Sequence, residues 1–561
     1  MNRCRSALAV LFGFVAFAGC GSRPGYWNTV PGATSSVGLE NAVALVDDAD
    51  HRVVLLSMQA TTAAGMALAP ARSVPIGHEV TTVVASPDGV HLFALAAGDW
   101  PPQTATDQLP SLTVIDTTNL SSTWIPSANT QTYKLTQPFP TLAIDPEGHY
   151  AIAYQGSAQS SVFVDNPNEL VIFDLTKPYS DSSGPTPNPV VRTIQSFGGT
   201  PQRLTFTPPL LVNPSAPSRR LLVIETQIDV TLLDLDNAFP TASVPARPEI
   251  TVGLTTGTTA MTVTPAAVVV DSFDPNSASD ARIAVRTSND TQVYTIAFGP
   301  PNAGDLNDFA PTLNLTDVGG TPSDMAFVHT DAGLRLATLV PTLSTAVLVE
   351  PDTSLTTPVA LPSGYANLSL VTSQVTTGGT SSGTTTDVAL LWNGAGTASG
   401  VALWTLNNTV GQPYDSIQVL DVSQAVSGVD DVPNTSLKVL ETANGNDQFF
   451  VLDLAGRTVS PLGTEGQVTL SIAPDGQRVW VYAPGGTQLA AVDFSNLSPT
   501  QLLTDLPIDA VYDIACLGSG GSRALLAIHL AGTVGATIFN AKDPQSIPPL
   551  SASGLLFQEA P

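Results

Sequence analysis

Cysteine is nearly missing from this chain. Three occur in 561 residues, at positions 4, 20 and 516. A disulfide framework of the kind that staples small secreted domains is therefore excluded. The fold has to be held by an apolar core and by strand ladders. Cys516 lies between Ile514-Ala515 and Leu517. It reads as a small hydrophobe in a strand rather than as a nucleophile. Lysine is just as scarce, with Lys134, Lys177, Lys438 and Lys542 as its four positions. Twenty Lys and Arg stand against 47 Asp and Glu, a net charge of −27. That excess repels nucleic acid and anionic lipid head groups. It suits cationic partners or divalent ions, and it also serves plain solubility. Charged residues make up only 12% against 43% hydrophobic. The polar surface must then come from Ser, Thr, Asn and Gln, a composition suited to β-structure. No long helix-period segment follows the N-terminal apolar run.

Recognisable catalytic motifs are missing too. The six His (51, 78, 91, 149, 329 and 529) show no i, i+4 or HxH spacing, so there is no zinc signature. There is no G-x-S-x-G elbow and no phosphate-binding loop. Asp47-Asp48-Ala49-Asp50 lacks the spacing and the Gly of an EF-hand loop. It is expected to turn a hairpin between Val43-Ala44-Leu45-Val46 and Val53-Val54-Leu55-Leu56. The acidic segment 271–280 is loop-like and has no ligand register. No catalytic residue, metal ligand or cofactor is expected from the sequence.

What the chain does have is a repeat. Thr82-Val83-Val84-Ala85-Ser86-Pro87-Asp88-Gly89 leads into Leu92-Phe93-Ala94-Leu95. Leu142-Ala143-Ile144-Asp145-Pro146-Glu147-Gly148 leads into Tyr150-Ala151-Ile152-Ala153-Tyr154. Leu470-Ser471-Ile472-Ala473-Pro474-Asp475-Gly476 leads into Val479-Trp480-Val481-Tyr482. Each is an apolar strand, a Pro-acid-Gly turn and a second apolar strand. Pro presets φ in the turn, the acid bonds local backbone, and Gly takes positive φ. A further apolar strand ending in an acid recurs at Asp116, Asp174, Asp234, Glu350, Asp453 and Asp493. These acids are expected to accept backbone N–H groups in the turn after their strand. Asp116 to Asp174 is 58 residues, Asp174 to Asp234 is 60, and Asp453 to Asp493 is 40. Such a unit holds about four short strands, the content of a propeller blade.

On these residues the chain resembles the YVTN and TolB-type β-propeller repeats over most of 38–550. Ser86-Pro87-Asp88-Gly89 and Ala473-Pro474-Asp475-Gly476 match best. His329-Thr330-Asp331-Ala332-Gly333 and Gly518-Ser519-Gly520-Gly521 are degenerate versions. The resemblance implies an all-β fold and says little about activity, because propellers host many functions. Units begin near residues 38, 78, 137, 198, 257, 319, 364, 430, 466 and 508. The units at 38 and 430 are expected to lack a first strand. Propellers usually have about four to eight blades, so one ring of seven or eight blades is expected, some units being half-blades. Two smaller propellers split near the Gly/Thr/Ser run 376–386 are the alternative. Gly554-Leu555-Leu556-Phe557-Gln558 is expected to close the ring as a strand beside the N-terminal unit.

The N-terminus carries a second signal. Arg3 and Arg5 precede residues 7–18, which hold no polar side chain. Spanning a bilayer takes roughly 20 apolar residues, so this run fits the core of a secretory signal. Phe17-Ala18-Gly19-Cys20 resembles the bacterial lipobox, with Phe17 where the motif usually has Leu. The resemblance implies cleavage before Cys20 and lipidation of it, with 1–19 as signal, 20–37 as flexible tether and 38–561 as propeller. Loss of Arg3 and Arg5 takes the mature charge to −29. Gly21 lacks the Asp of an inner-membrane retention signal, so the outer membrane is favoured.

Insertions at 98–110, 155–168 and 376–386 are expected between the second and third strands of their units, projecting from one face. Per-repeat insertions often mark a binding surface. Asp99, Trp100, Asp107, Phe163 and Asp165 are the candidate binding residues, an aromatic among acids suited to a cationic or sugar ligand. The expected function is a non-enzymatic, lipid-anchored envelope module that binds a protein or glycan and touches the membrane only through its lipid. The alternatives are a lactonase-like hydrolase with a central metal and a TolB-like accessory of an envelope complex.

Overall fold

The protein is described here by a computed structural model covering residues 35–553, leaving aside 61–65, 69–70, 119, 121–123, 158–163, 181–185, 197–198, 242, 255–262, 272–280, 331–332, 378–379, 395–399, 407–415, 434, 443–448, 463–467, 473–475, 483–487, 495–498, 506–512, 518–523, 530–534 and 541–549. Among the described residues, helix is limited to one turn at Pro126–Asn129 and 3-10 turns at Leu235–Asn237 and Pro341–Leu343. The rest of the regular structure is antiparallel strand.

The strands form meanders in chain order. A five-stranded N-terminal sheet comes first, followed among the described residues by nine four-stranded sheets. The N-terminal sheet contains Ser35–Gly38, Ala42–Asp47, Arg52–Ala60, Met66–Leu68 and Arg72–Pro75. The first four-stranded blade contains Val80–Ala85, His91–Ala96, Ser111–Asp116 and Thr130–Lys134. The second contains Thr141–Ile144, Tyr150–Tyr154, Glu169–Asp174 and Val190–Thr193. The third to ninth occupy 203–253, 265–317, 324–360, 367–420, 426–461, 469–505 and 513–553. First strands of neighbouring sheets touch one another: Val80–Ala85 with Thr141–Ile144, and Pro265–Val270 with Asp324–Thr330. Ser35–Gly38 touches both Val80–Ala85 and Asp513–Leu517. The first strand of each sheet is therefore the innermost, and the first sheet meets the last. The protein is a β-propeller.

The expectation of seven or eight blades is corrected to nine four-stranded blades plus the N-terminal sheet. Each of the ten sequence units folds as a complete sheet, so none is a half-blade. The two units expected to lack a first strand have one, at Ser35–Gly38 and Val426–Asp431. The strand Ser35–Gly38 overlaps the end of the segment expected to be tether. A split near 376–386 is also corrected. One apolar cluster joins Val328, Ala337, Leu339 and Leu348 of the fifth blade to Ala389, Leu391, Ala402 and Trp404 of the sixth. The residues expected to close the ring, 554–558, lie outside the described residues.

Alternation explains how the sheets cohere. Successive strand residues point to opposite faces. In the first blade Leu92, Ala94 and Ile115 pack on the N-terminal sheet's Ala42, Ala44, Val53 and Leu55. Phe93, Leu95 and Leu112 point the other way, onto Ala151, Ala153, Val171 and Phe173 of the second blade. Tyr150, Ile152, Leu170 and Ile172 then face Leu222, Ile224 and Leu233 of the third. Each layer is the core between two sheets, so the middle strands are buried on both faces and read as unbroken apolar runs. Burying one side chain such as Phe173 fully is worth about 1.5–3 kcal/mol.

The turns behave as their residues dictate. Gly89 and Gly148 take φ of 71° and 74°, and their N–H groups bond Ser86 and Asp145 carbonyls at 2.8 Å. The Asp88 carboxylate accepts from Val90 N at 3.2 Å. Strand-end acids accept as expected: Asp116 from Thr118 N at 2.8 Å, Asp174 from Thr176 N at 3.0 Å, Asp453 from Ala455 N at 2.9 Å. Asp47-Asp48-Ala49-Asp50 turns the hairpin it was expected to turn. Asp47 and Asp50 are engaged by Arg52, with Nε donating to Asp47 at 2.8 Å and Nη2 to Asp50 at 2.9 Å, and Asp48 accepts from Val80 N at 3.1 Å.

In every blade the second strand returns to the third, and the fourth passes to the next blade, at one end, here the upper face. Turns between first and second strands lie at the lower face. The 98–110 and 155–168 segments join second to third strands, as expected. The 376–386 run does not. It extends the hairpin of Asn367–Thr377 and Thr380–Trp392, the first two strands of the sixth blade, at the lower face. Its Thr residues suit the ladder because β-branched side chains fit a strand.

Candidate functional site

The upper face of the first two blades holds a cleft of about 980 Å³. Its lining includes Glu79, Asp99, Trp100, Asp107, Pro138 and Asp165. Asp99, Trp100 and Asp107 come from the loop between the second and third strands of the first blade, and Asp165 from the equivalent loop of the second. Four of the five candidate residues named from sequence therefore meet in one concavity. Phe163 lies outside the described residues, as does Cys20.

The loop of the first blade is shaped at its base by Gly98, whose φ is +67°. A Cβ there would lie 2.5 Å from Gln108 O and 2.7 Å from Leu109 C, so only Gly allows the two ends of the loop to meet. They are joined by Asp99 N donating to Gln108 O at 2.8 Å. Gln108 N returns a bond to Asp99 Oδ2 at 2.8 Å, while Asp99 Oδ1 lies 2.9 Å from His78 Nδ1. The His78 ring stacks on His51 at 3.8 Å, tying the loop to the N-terminal sheet. Asp107 Oδ2 accepts from Gln103 N at 2.6 Å and Thr104 N at 2.8 Å, and Oδ1 from Thr104 Oγ1 at 2.5 Å. Hydrogen bonds to a carboxylate favour its charged form. The bond from Gln108 N, then that from His78, hold Asp99 below the usual carboxylate range. The bonds from Thr104 and Gln103 do the same for Asp107.

Two acids of the cleft differ from these. Glu79 and Asp165 are exposed, and their carboxylates have no partner among the described residues. Trp100 is half-buried and its indole N–H has no partner among them either. Thr81 has already given its hydroxyl, to Leu95 O and Phe139 O, and Gln103 Nε2 has given one of its two N–H groups to Pro101 O. Among the described residues the cleft is richer in acceptors than in donors, and none of those that line it is Lys or Arg.

Sequence reasoning missed Glu79, His78, Pro138 and Pro140. All precede first strands, on connections that reach the same upper face as the insertions. Pro138-Phe139-Pro140, just before Thr141–Ile144, was the visible sign. Among the described residues no three His, Cys, Asp or Glu side chains converge as a metal ion would need.

No family model matches this sequence, and no curated protein is similar to it. Solved structures that it resembles include a dihydro-heme d1 dehydrogenase NirN in complex with DHE, at 12% identity and a TM-score of 0.37, over 79% of this chain and 76% of that one. Another is a eukaryotic initiation factor, at 10% identity and a TM-score of 0.39, over 92% of this chain and 95% of that one.

Proposed function

We propose that this protein is a non-enzymatic binding module of a bacterial cell envelope, anchored through lipid on Cys20 and presenting the upper-face cleft to a protein or glycan partner. The observation that carries the reading is the meeting of Asp99, Trp100, Asp107 and Asp165, from loops of two different blades, in one cleft of about 980 Å³. That size lies at the top of the usual range for ligand sites, roughly 300–1,000 Å³. Loops on a rigid scaffold are the usual carriers of binding residues.

Two measurements test the proposal. Labelled palmitate should enter the full chain in bacterial cells, and Cys20→Ala should abolish it. Partners captured from envelope extracts by the chain from residue 21 onward should be lost with Trp100→Ala and with Asp165→Ala. Retention of every partner by both variants overturns the assignment of the face.

A further inference from the structure

Resting on that reading of the upper face, we propose that the cleft takes a basic peptide segment, an Arg or Lys side chain entering between Asp165 and Glu79 and lying against Trp100. The argument is one of hydrogen-bond complementarity. Glu79 and Asp165 offer carboxylates without partners among the described residues, and an ionised carboxylate only accepts. Asp99 and Asp107 are held ionised by the donors of their own loop. Against the four unpartnered carboxylate oxygens of Glu79 and Asp165, the described side chains of the lining leave two spare donors, the Trp100 indole N–H and the second Gln103 Nε2 N–H. A sugar hydroxyl both donates and accepts and needs donors opposite it. An ammonium or guanidinium group donates only, so it matches the unpartnered Glu79 and Asp165 carboxylates, while the carbonyl groups of the peptide that carries it can accept from the spare donors.

The apolar surface fits the same ligand. Trp100 presents a half-buried ring, and a cation over an indole face is attracted by the negative face of the ring. Pro138 and Pro140 line the cleft beside it and give the aliphatic stem of Arg or Lys a surface to cover. The surplus of negative charge over the whole chain speeds the approach of such a segment but does not select the cleft. Selection has to come from Glu79, Asp165 and Trp100.

Calorimetric titration of the chain from residue 21 onward tests this with three probes. These are an N-acetylated, C-amidated tetra-arginine, the corresponding tetra-glutamate and an uncharged N-acetylglucosamine tetramer. Tetra-arginine is expected to bind and to weaken as salt is raised, while the other two show no heat of binding. Glu79→Gln, Asp165→Asn and Trp100→Ala should each weaken tetra-arginine by about tenfold, the equivalent of about 1.4 kcal/mol. The circular dichroism and melting of Glu79→Gln and Asp165→Asn should stay at wild type, since neither carboxylate bonds another described residue. Asp430→Asn, which removes an exposed charge at the lower face, should leave binding unchanged. Equal binding by all variants means that the peptide follows net charge, and the proposal falls. Binding of the sugar tetramer that depends on Trp100, without binding of tetra-arginine, overturns the cationic ligand and keeps the face. Failure of every probe at millimolar concentration overturns the cationic ligand and leaves the face to the capture test above.

Discussion

Replacing Gly98 by Ala tests the construction of the cleft, and replacing Gly148 by Ala is its natural control. Both glycines have positive φ, 67° and 74°. An L-residue in that region costs about 1–2 kcal/mol, so each variant carries that penalty. They differ in their surroundings. An added Cβ at 148 meets nothing within 4 Å, whereas at 98 it lies 2.5, 2.7 and 2.8 Å from the backbone of Gln108, Leu109 and Pro110. Backbone cannot swing aside as a flexible side chain does, so the loop must open. Opening breaks Asp99 N to Gln108 O and Gln108 N to Asp99 Oδ2, each 2.8 Å. A net hydrogen bond is worth about 1 kcal/mol. G98A should therefore cost about 3–4 kcal/mol locally and G148A about 1–2. A propeller of this length need not unfold in one step. The measurement is consequently local: amide hydrogen exchange on peptides covering 98–110 and 145–150. Exchange at Asp99 and Gln108 should accelerate by two orders of magnitude or more in G98A, and binding at the cleft should weaken. Similar small increases in both variants would refute the loop geometry.

Two further outcomes follow from the packing and charge. Phe173→Ala removes a fully buried ring shared by the first and second blades, 5.3 Å from Tyr133 in an edge-on contact. It should cost about 3–5 kcal/mol, read as a lower melting temperature, and exchange should rise in both blades; a change confined to the second blade contradicts a shared core. Glu225 is 1% exposed, and its burial pushes its pKa up against the opposing pull of Arg203 and Arg286. The folded state therefore holds this proton more tightly than the unfolded state, and stability from it is lost as pH rises through the raised value. Melting of Glu225→Gln should gain on wild type as pH rises from the ordinary carboxylate range toward neutrality; a gap that stays constant or shrinks refutes the sign.

Much of the architecture is legible in the chain because turn chemistry is local. Gly89 and Gly148 are needed for positive φ, and Asp116, Asp174 and Asp453 cap the turns after their strands. The units were also spaced correctly in sequence. The miscount came from general experience with ring size, which argued for merging units that in fact each fold whole. The short strand Ser35–Gly38 was hidden because its sequence, Ser-Ser-Val-Gly, has one large apolar residue and half-buried positions. The extended hairpin around 376–386 was read as a loop because Thr, Ser and Gly serve in turns as readily as in ladders. For the site, Asp99, Trp100, Asp107 and Asp165 were legible as insertions on one face. Glu79 and His78 were not, since their place in the cleft depends on how one sheet hands over to the next, which no local pattern records.

The central claim is a closed series of sheets, with the first against the last. Spin labels at Ser35→Cys and Asp513→Cys, in the chain from residue 21 onward with Cys516 replaced by Ser, read this by electron paramagnetic resonance. The strands that carry them have Cα atoms within 8 Å of one another, so a narrow distribution at near-contact distance is expected. A broad distribution centred at the width of the molecule would contradict closure.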